Sequence, residues 1–337
     1  MSIFPAQYST LSPSALKNYI IENYGFSDLS CRLLIRNVSD TYILENLNEQ
    51  YIFKIYRDSH RKLEEIKGEV ELLNNLKDNK VCVSHPIQNL KGDYLSSFNA
   101  IEGTRYGVLF SYAAGSVAIN LNPNQLELLG KEMAHFHQIS SKITLQHLRK
   151  EYNIETTLKA PFANLKPSFI DLADEYAQLS ELCEHSVLAL QHLQTSSFST
   201  GYCHYDFLPK NFHFNGNHQL TFFDFDFAGK GFLLNDITTF LIHYFLDVTY
   251  HKMSNEEALN CFNVFLNSYK QNKMVSDEEL KAIPYLGIGF WVFYLNFQYE
   301  NYDDWSNLFF TPRFIKDRVS LIQKWLDWSK ESLASLV

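Results

Sequence analysis

Residues 204–226 carry His204-Tyr205-Asp206, then Asn211, then Asp224-Phe225-Asp226. The segment Phe207 to Phe214 is followed by Asn215-Gly216 and the apolar run Leu220 to Phe223. Asn-Gly between two such runs predicts a hairpin, because both residues tolerate the positive φ of a type I′ turn. A loop bearing Asp206 and Asn211 then precedes one strand and Asp224 ends the other, so three oxygen-bearing side chains converge. Asn with Asp suits Mg²⁺, a hard cation usually held by one or two carboxylates plus substrate phosphates. Asp206, five residues before Asn211, is placed to accept the proton of an attacking hydroxyl. The chemistry predicted is phosphoryl transfer.

The pattern H-x-D-x-x-x-x-N from His204 to Asn211, followed by an apolar strand and D-F-D, resembles the catalytic and metal-binding loops of the aminoglycoside phosphotransferase/choline kinase family. That resemblance implies an α+β, bilobal, protein-kinase-like fold. Residues 1–113 would form an antiparallel sheet plus helix, residues 114–337 a mostly helical lobe, with ATP (or GTP) and Mg²⁺ between them. It implies Asp206 as the base, His204 as a brace of the loop, and Asn211 and Asp224 as the metal ligands.

The positioning elements are legible upstream. Ser12-Pro13 starts a short helix to Tyr24 with Leu16, Tyr19 and Ile20 on one face. Cys31 to Ile35, Tyr42 to Leu44 and Tyr51 to Tyr56 read as strands, and about Lys62 to Leu76 as a long amphipathic helix. This order resembles a kinase N-lobe, in which a strand lysine pairs with a helix glutamate and steadies the phosphates. By that resemblance Lys54 is the phosphate lysine and Glu69 its partner, with Glu65, one turn earlier on nearly the same face, as the alternative. A lone lysine within an aromatic and β-branched strand also points to a polar cleft, although a solvent-facing lysine on an alternating strand would look the same.

One segment departs from the pattern. The expected phosphate turn, Arg36 to Thr41, contains no glycine, whereas kinase phosphate loops use glycine for close backbone approach. Ser39 is the residue placed there to donate to a phosphate. Tyr106 to Phe110 reads as a fourth strand broken by Ser111-Tyr112-Ala113-Ala114-Gly115. The resemblance makes Ser111, Tyr112 and Ala113 the hinge that meets the adenine edge; a plain strand end would look alike.

From Asn122 on, helices dominate. His137 reads as structural. Asp236 opens an apolar helix and accepts its first-turn N–H groups, while the resemblance gives the equivalent acid a second task, bracing the catalytic loop. Asp236 follows Asp224 by only twelve positions, without room for a regulated activation loop, and Tyr205 replaces the arginine of H-R-D. Both features favour a small-molecule acceptor. Phe290 to Phe310 is rich in aromatics, with Glu300, Asp303 and Asp304 beside Trp305. In the resembled family acidic side chains hold amino or ammonium acceptors and aromatics stack on them; a solvated helix end would also look like this.

Composition bounds these readings. The 337 residues are 46% hydrophobic and 15% aromatic, enough for two well-packed lobes. A net charge of −9 without a basic cluster disfavours nucleic-acid and membrane partners. Cys31, Cys82, Cys183, Cys203 and Cys261 are widely spaced, as expected of reduced thiols in the cytoplasm. The expected function is ATP-dependent phosphorylation of a hydroxyl on an aminoglycoside-, choline- or homoserine-like acceptor. The alternatives are a nucleotide-binding pseudokinase or regulatory module, and a protein Ser/Thr kinase with a short activation segment.

Overall fold

Alternating aromatic and β-branched residues pair into strands from Ser30 onward in the computed structural model, which describes residues 6, 8–37, 39–57, 59–216, 218–301 and 309–334. The chain separates into two compact units, Met1–Ala113 with Leu145–Leu148, and Ala114–Thr144 with Arg149–Val337. The whole is α+β: an antiparallel sheet near the N-terminus and a mostly helical remainder.

The first unit contains α1 (Pro13–Tyr24), β1 (Ser30–Arg36), β2 (Ser39–Glu45), β3 (Gln50–Tyr56), α2 (Leu63–Asp78), β4 (Pro86–Ile87), β5 (Leu95–Ala100) and β6 (Gly103–Ser111). The sheet order is β1-β2-β3-β6-β4, with β5 also paired to β6, all antiparallel. Leu16, Ile20 and Tyr24 of α1 form a core with Tyr42, Leu44, Phe53, Ile55 and Leu109. Each such side chain contributes about 1.5–3 kcal/mol by leaving water. Since Phe53 and Ile55 face that core, Lys54 between them faces the opposite side of the sheet. The Arg36–Thr41 segment is shorter than a phosphate loop: pairing runs to Arg36↔Asp40, so Ser39 to Thr41 already belong to β2. The strands β4 and β5 carry no sequence signal strong enough to have been expected, and β6 is therefore the sixth strand.

The second unit contains α3 (Pro123–Ser140), β7 (Lys150–Glu151), α4 (Ala160–Leu165), α5 (Ala173–His192), β8 (Thr200–Cys203), β9 (Phe212–Asn215), β10 (Gln219–Phe222), β11 (Gly229–Phe232), α6 (Leu234–Thr249), α7 (Asn255–Asn272), α8 (Asp277–Leu280), α9 (Ile283–Asn301) and α10 (Pro312–Leu333). The apolar run of α9 packs against α4, α5, α6 and α10, which is why it is hydrophobic on every side. No helix among the described residues is long and apolar enough to cross a membrane.

The expected hairpin is β9–β10, but its turn differs from the type I′ expectation. Asn215 pairs with Gln219 and keeps a negative φ, while Gly216 alone of the expected pair is left-handed, at φ 66°. The loop is therefore three residues long. Pairing Phe212 with Phe222 and Phe214 with Leu220 keeps the buried faces in register, and that burial outweighs the two-residue propensity of Asn-Gly. Gly115 lies against the same hairpin. Its φ is +102° and a β-carbon there would sit 2.2 Å from the Phe214 carbonyl oxygen, so only glycine fits.

Candidate active site

The loop from His204 to Asn211 leaves β8 at Cys203 and is held by Asp236. This acid is the third residue of α6 and fully buried, and its cap position is taken by Leu233. Its Oδ1 accepts the Tyr205 N–H at 2.7 Å, and its Oδ2 accepts the His204 N–H at 2.9 Å. The expected first-turn capping is thus absent; the carboxylate turns to the loop instead. His137 of α3 donates from Nε2 to Asp236 Oδ2 at 2.9 Å and meets the Tyr269 hydroxyl through Nδ1 at 2.8 Å. Burial holds the His137 imidazole below its ordinary pKa, against the opposing pull of Asp236.

His204 clamps the two halves of the motif. Its Nε2 donates to the Phe223 carbonyl at 2.9 Å, next to Asp224, and its Nδ1 accepts the Asp206 N–H at 3.3 Å. These partners fix the tautomer with the proton on Nε2.

Asp206 is 3% exposed. Its Oδ2 accepts from Asn211 Nδ2 at 2.8 Å and pairs with Lys210 Nζ at 2.9 Å. The Asn211 amide also donates to the Asp206 backbone carbonyl, again at 2.8 Å. Asp206 Oδ1 is buried and has no hydrogen-bond partner. A buried carboxylate oxygen left unpaired costs free energy unless something arrives to use it.

Asn211 and Asp224 supply oxygen donors suited to Mg²⁺. With its nitrogen committed to Asp206, Asn211 offers only its side-chain oxygen, and Asp224 is exposed at the end of the hairpin. No group of three or more His, Cys, Asp or Glu among the described residues could hold a metal by itself. A two-ligand set therefore fits a cation that is also bound by phosphate oxygens.

Two left-handed residues lie at the site. Tyr205 (φ 65°) and Asp224 (φ 62°) are both left-handed non-glycine residues. Such residues cost of order 1–3 kcal/mol and persist only where surroundings fix them. Tyr205 is fixed by Asp236 and by stacking on Tyr152, with ring centroids 3.5 Å apart and planes 4° from parallel. It is 1% exposed, so an aromatic stack fills the place of the H-R-D arginine. Burial drives the Tyr205 phenol well above its ordinary pKa. Arg149 holds the far side of the motif, donating to the carbonyls of Phe225, Asp226 and Ala228 at 2.7–2.9 Å.

In the first unit Lys54 is buried on β3 and Glu69 buried on α2. Glu65 caps the start of α2, accepting the Lys62 N–H at 3.1 Å. Ser39 is a buried strand residue paired with Tyr56, outside any loop. Behind it, Arg105 of β6 bonds Asp40 at 3.0 Å and the carbonyls of Ile55 and Tyr56, and the Tyr8 hydroxyl donates to the same Asp40 carboxylate. Ser111 is already engaged: its N–H donates to the His85 carbonyl at 2.9 Å and its carbonyl accepts from Ser84 Oγ at 2.6 Å. Tyr112 and Ala113 follow β6.

Asp303, Asp304 and Trp305 lie outside the described residues. Glu300 is exposed and accepts from Asn164. Upstream, the aromatic-dense segment is a wall behind the His204–Asn211 loop: Phe290 and Phe293 pack on Tyr205, and Phe293, Tyr294 and Phe297 pack on Phe227. Lys210, Arg149, Arg105 and Tyr294 carry no motif that singles them out in sequence; only spacing to Asp206 marks Lys210, at i+4.

A family model for the phosphotransferase enzyme family matches residues 31–255. The protein sll1119 of Synechocystis sp., which is named as uncharacterized, is 30% identical over 307 residues, covering 90% of this chain and 83% of that one. Two solved structures share the fold. An amicoumacin kinase, hAmiN, in complex with AMP-PNP, Ca²⁺ and Ami superposes with a TM-score of 0.73 at 20% identity, over 91% of this chain and 92% of its own. A microcompartment-associated aminopropanol kinase does so with a TM-score of 0.71 at 18% identity, over 96% and 98%.

Proposed function

Since the chain belongs to the phosphotransferase enzyme family, we propose that it moves the γ-phosphate of ATP to a hydroxyl of a small, amino-bearing molecule. The observation that carries this reading is the buried Asp206 carboxylate, with one oxygen held by Asn211 and Lys210 and the other unpaired. An acceptor hydroxyl would donate to that free oxygen and lose its proton to it during transfer. Lys210, beside Asp206, and Lys54, paired with Glu69, neutralise phosphate charge. Glu69 is preferred to Glu65 because it is buried, as Lys54 is, whereas Glu65 caps its own helix; a buried charge needs a partner. Mg²⁺ held by the Asn211 oxygen, Asp224 and the phosphates would offset charge on the transferred group. Positioning and electrostatics supply most of the catalysis, since this reaction needs little covalent help. Tyr112 and Ala113 meet the adenine edge; the Ser111 amide is already used, and Ser39 contributes through strand packing.

The aminopropanol and amicoumacin kinases bring amino-bearing acceptors to mind for this chain. Glu300, with Asp303 and Asp304 after it, would attract the cationic part of such a molecule, beside Trp305. Buried Tyr205 in place of arginine, and the short path from Asp224 through β11 to α6, speak against a phosphorylation-controlled protein kinase. Reduced thiols and the acidic balance suit a cytoplasmic enzyme.

The test is an ATP-consumption screen with Mg²⁺ over 1-amino-2-propanol, ethanolamine, choline, homoserine, spectinomycin and other aminoglycosides, with product mass as readout. A mass gain of one phosphoryl group that Asp206→Asn abolishes is expected. Tight ATP binding without turnover on any acceptor would point to the nucleotide-binding regulatory module, a reading that the glycine-free turn favours.

A further inference from the structure

The turn that follows Asp224 is held from outside by one short segment, Arg149 to Tyr152. Asp224 is left-handed, and Phe225–Phe227 form a single tight 3₁₀ turn after it. Arg149 donates through Nε to the Ala228 carbonyl at 2.7 Å, and through Nη2 to those of Phe225 and Asp226 at 2.7 and 2.9 Å. The Tyr152 hydroxyl donates to the remaining carbonyl of the run, that of Phe227. Between these two side chains β7 pairs in parallel with β11, Lys150 opposite Gly229, and the Tyr152 N–H donates to the Lys230 carbonyl at 2.7 Å. The backbones approach closely: a β-carbon on Gly229 would lie 2.5 Å from the Lys150 carbonyl oxygen, so only glycine fits. The same segment reaches the other half of the motif. The Tyr152 ring stacks on Tyr205, and Tyr205 directly precedes Asp206.

Resting on the phosphotransferase reading above, we infer that Arg149 and Tyr152 are positioning residues for the proposed metal ligand: through the carbonyls of residues 225–228 they keep Asp224 left-handed and its carboxylate in one place. A non-glycine residue in that conformation persists only where its surroundings fix it. Rotation about the backbone of Asp224 would carry the following carbonyls away from their donors, so all four hydrogen-bonded carbonyls oppose it. The planar guanidinium suits this task, because its Nε and Nη2 form a rigid fork that the point charge of a lysine cannot copy. Regulated kinases order the segment after the metal aspartate by pairing arginine with a phosphate added to the activation loop. Here Tyr205 stands where the H-R-D arginine would be, and a guanidinium reaches the turn from residue 149 instead. Order at the turn then depends on hydrogen bonds to the backbone itself, with no added phosphate.

Arg149→Gln removes the fork, Arg149→Lys keeps the charge without it, and Tyr152→Phe removes one donor while keeping the ring that stacks on Tyr205. AMP-PNP binding is titrated by calorimetry in EDTA and over a series of Mg²⁺ concentrations. In EDTA the variants should bind AMP-PNP as the wild type does. The Mg²⁺ concentration that gives half the gain in affinity should rise about 10-fold in Arg149→Gln, with a smaller rise in Arg149→Lys and Tyr152→Phe. A wild-type Mg²⁺ requirement in Arg149→Gln overturns the inference, whatever happens to Tm. So does an affinity lost equally with and without Mg²⁺, which would make the segment a packing element only. Should Arg149→Gln fail to fold, Tyr152→Phe decides by the same two criteria. Wild-type AMP-PNP binding that ignores Mg²⁺ sinks the metal assignment, and no AMP-PNP binding at all sinks the phosphotransferase reading. Either takes this inference with it, but both are seen in the wild type alone and so are distinguishable.

Discussion

The Asn211 side-chain amide donates to both the backbone carbonyl and the Oδ2 of Asp206, each at 2.8 Å. One residue thereby fixes the proposed base and leaves its own side-chain oxygen for the proposed metal. Asn211→Asp keeps an oxygen ligand but loses the N–H donor and adds a charge next to Asp206. It should lower kcat on the order of 100-fold, and Asn211→Ala should lower it further. Equal, mild effects of both substitutions, measured at saturating Mg²⁺, would separate Asn211 from the base.

Asp224 offers a test of function against stability. Asp224→Gly removes the proposed ligand and relieves the left-handed strain at φ 62°. Activity should vanish while Tm rises by about 2 °C. Mg²⁺-dependent turnover in the purified variant would show that the metal is held elsewhere.

Lys54→Ala should reduce turnover roughly 100-fold, and Glu69→Ala nearly as much. The double variant should be little worse than either, with a coupling of about 1 kcal/mol or more, if the proposed pair acts as one unit. Glu65→Ala should mainly cost helix stability, by about 1 kcal/mol. If kcat/KM for ATP instead collapses in Glu65→Ala and survives in Glu69→Ala, the assignments exchange.

His137 links pH to stability. Burial, aided by Lys273, lowers its pKa from 6.5 in the folded protein, with Asp236 opposing. Below about pH 6.5 the unfolded chain therefore takes up a proton that the folded chain refuses, and stability falls as pH drops. His85, His185 and His243 are shifted in the same direction, so the wild-type slope is a sum. In scanning fluorimetry from pH 7.5 to 5, His137→Gln should show a shallower loss of Tm than wild type. An identical slope would mean that His137 does not contribute.

The proposed acceptor contacts are probed by Glu300→Gln together with Asp303→Asn and Asp304→Asn. A cationic acceptor should then bind with a KM raised about 10-fold, and the KM for ATP should hold, as expected for contacts away from the reacting centre. An unchanged acceptor KM would return these acids to the solvated surface.

The local parts of this protein were readable from its residues in order. His204, Asp206, Asn211 and Asp224 lie on one loop and one hairpin, and the periodicity of Phe212, Phe214, Leu220 and Phe222 already places that hairpin. Lys54 is marked by its strand, and Glu69 by helical spacing from Leu72 and Leu76. Tertiary structure decided what holds these groups and what they meet. Asp236 reaches the His204 N–H across 32 residues, and His137 reaches Asp236 across 99. Arg105 reaches Asp40 from another strand. The two-residue turn promised by Asn215-Gly216 gave way to three residues because burying matched aromatic faces outweighs a local turn preference. Spacing along a chain tells which face a residue occupies, but its partner depends on how helices and strands remote in sequence pack, and that is set by the summed burial of the core.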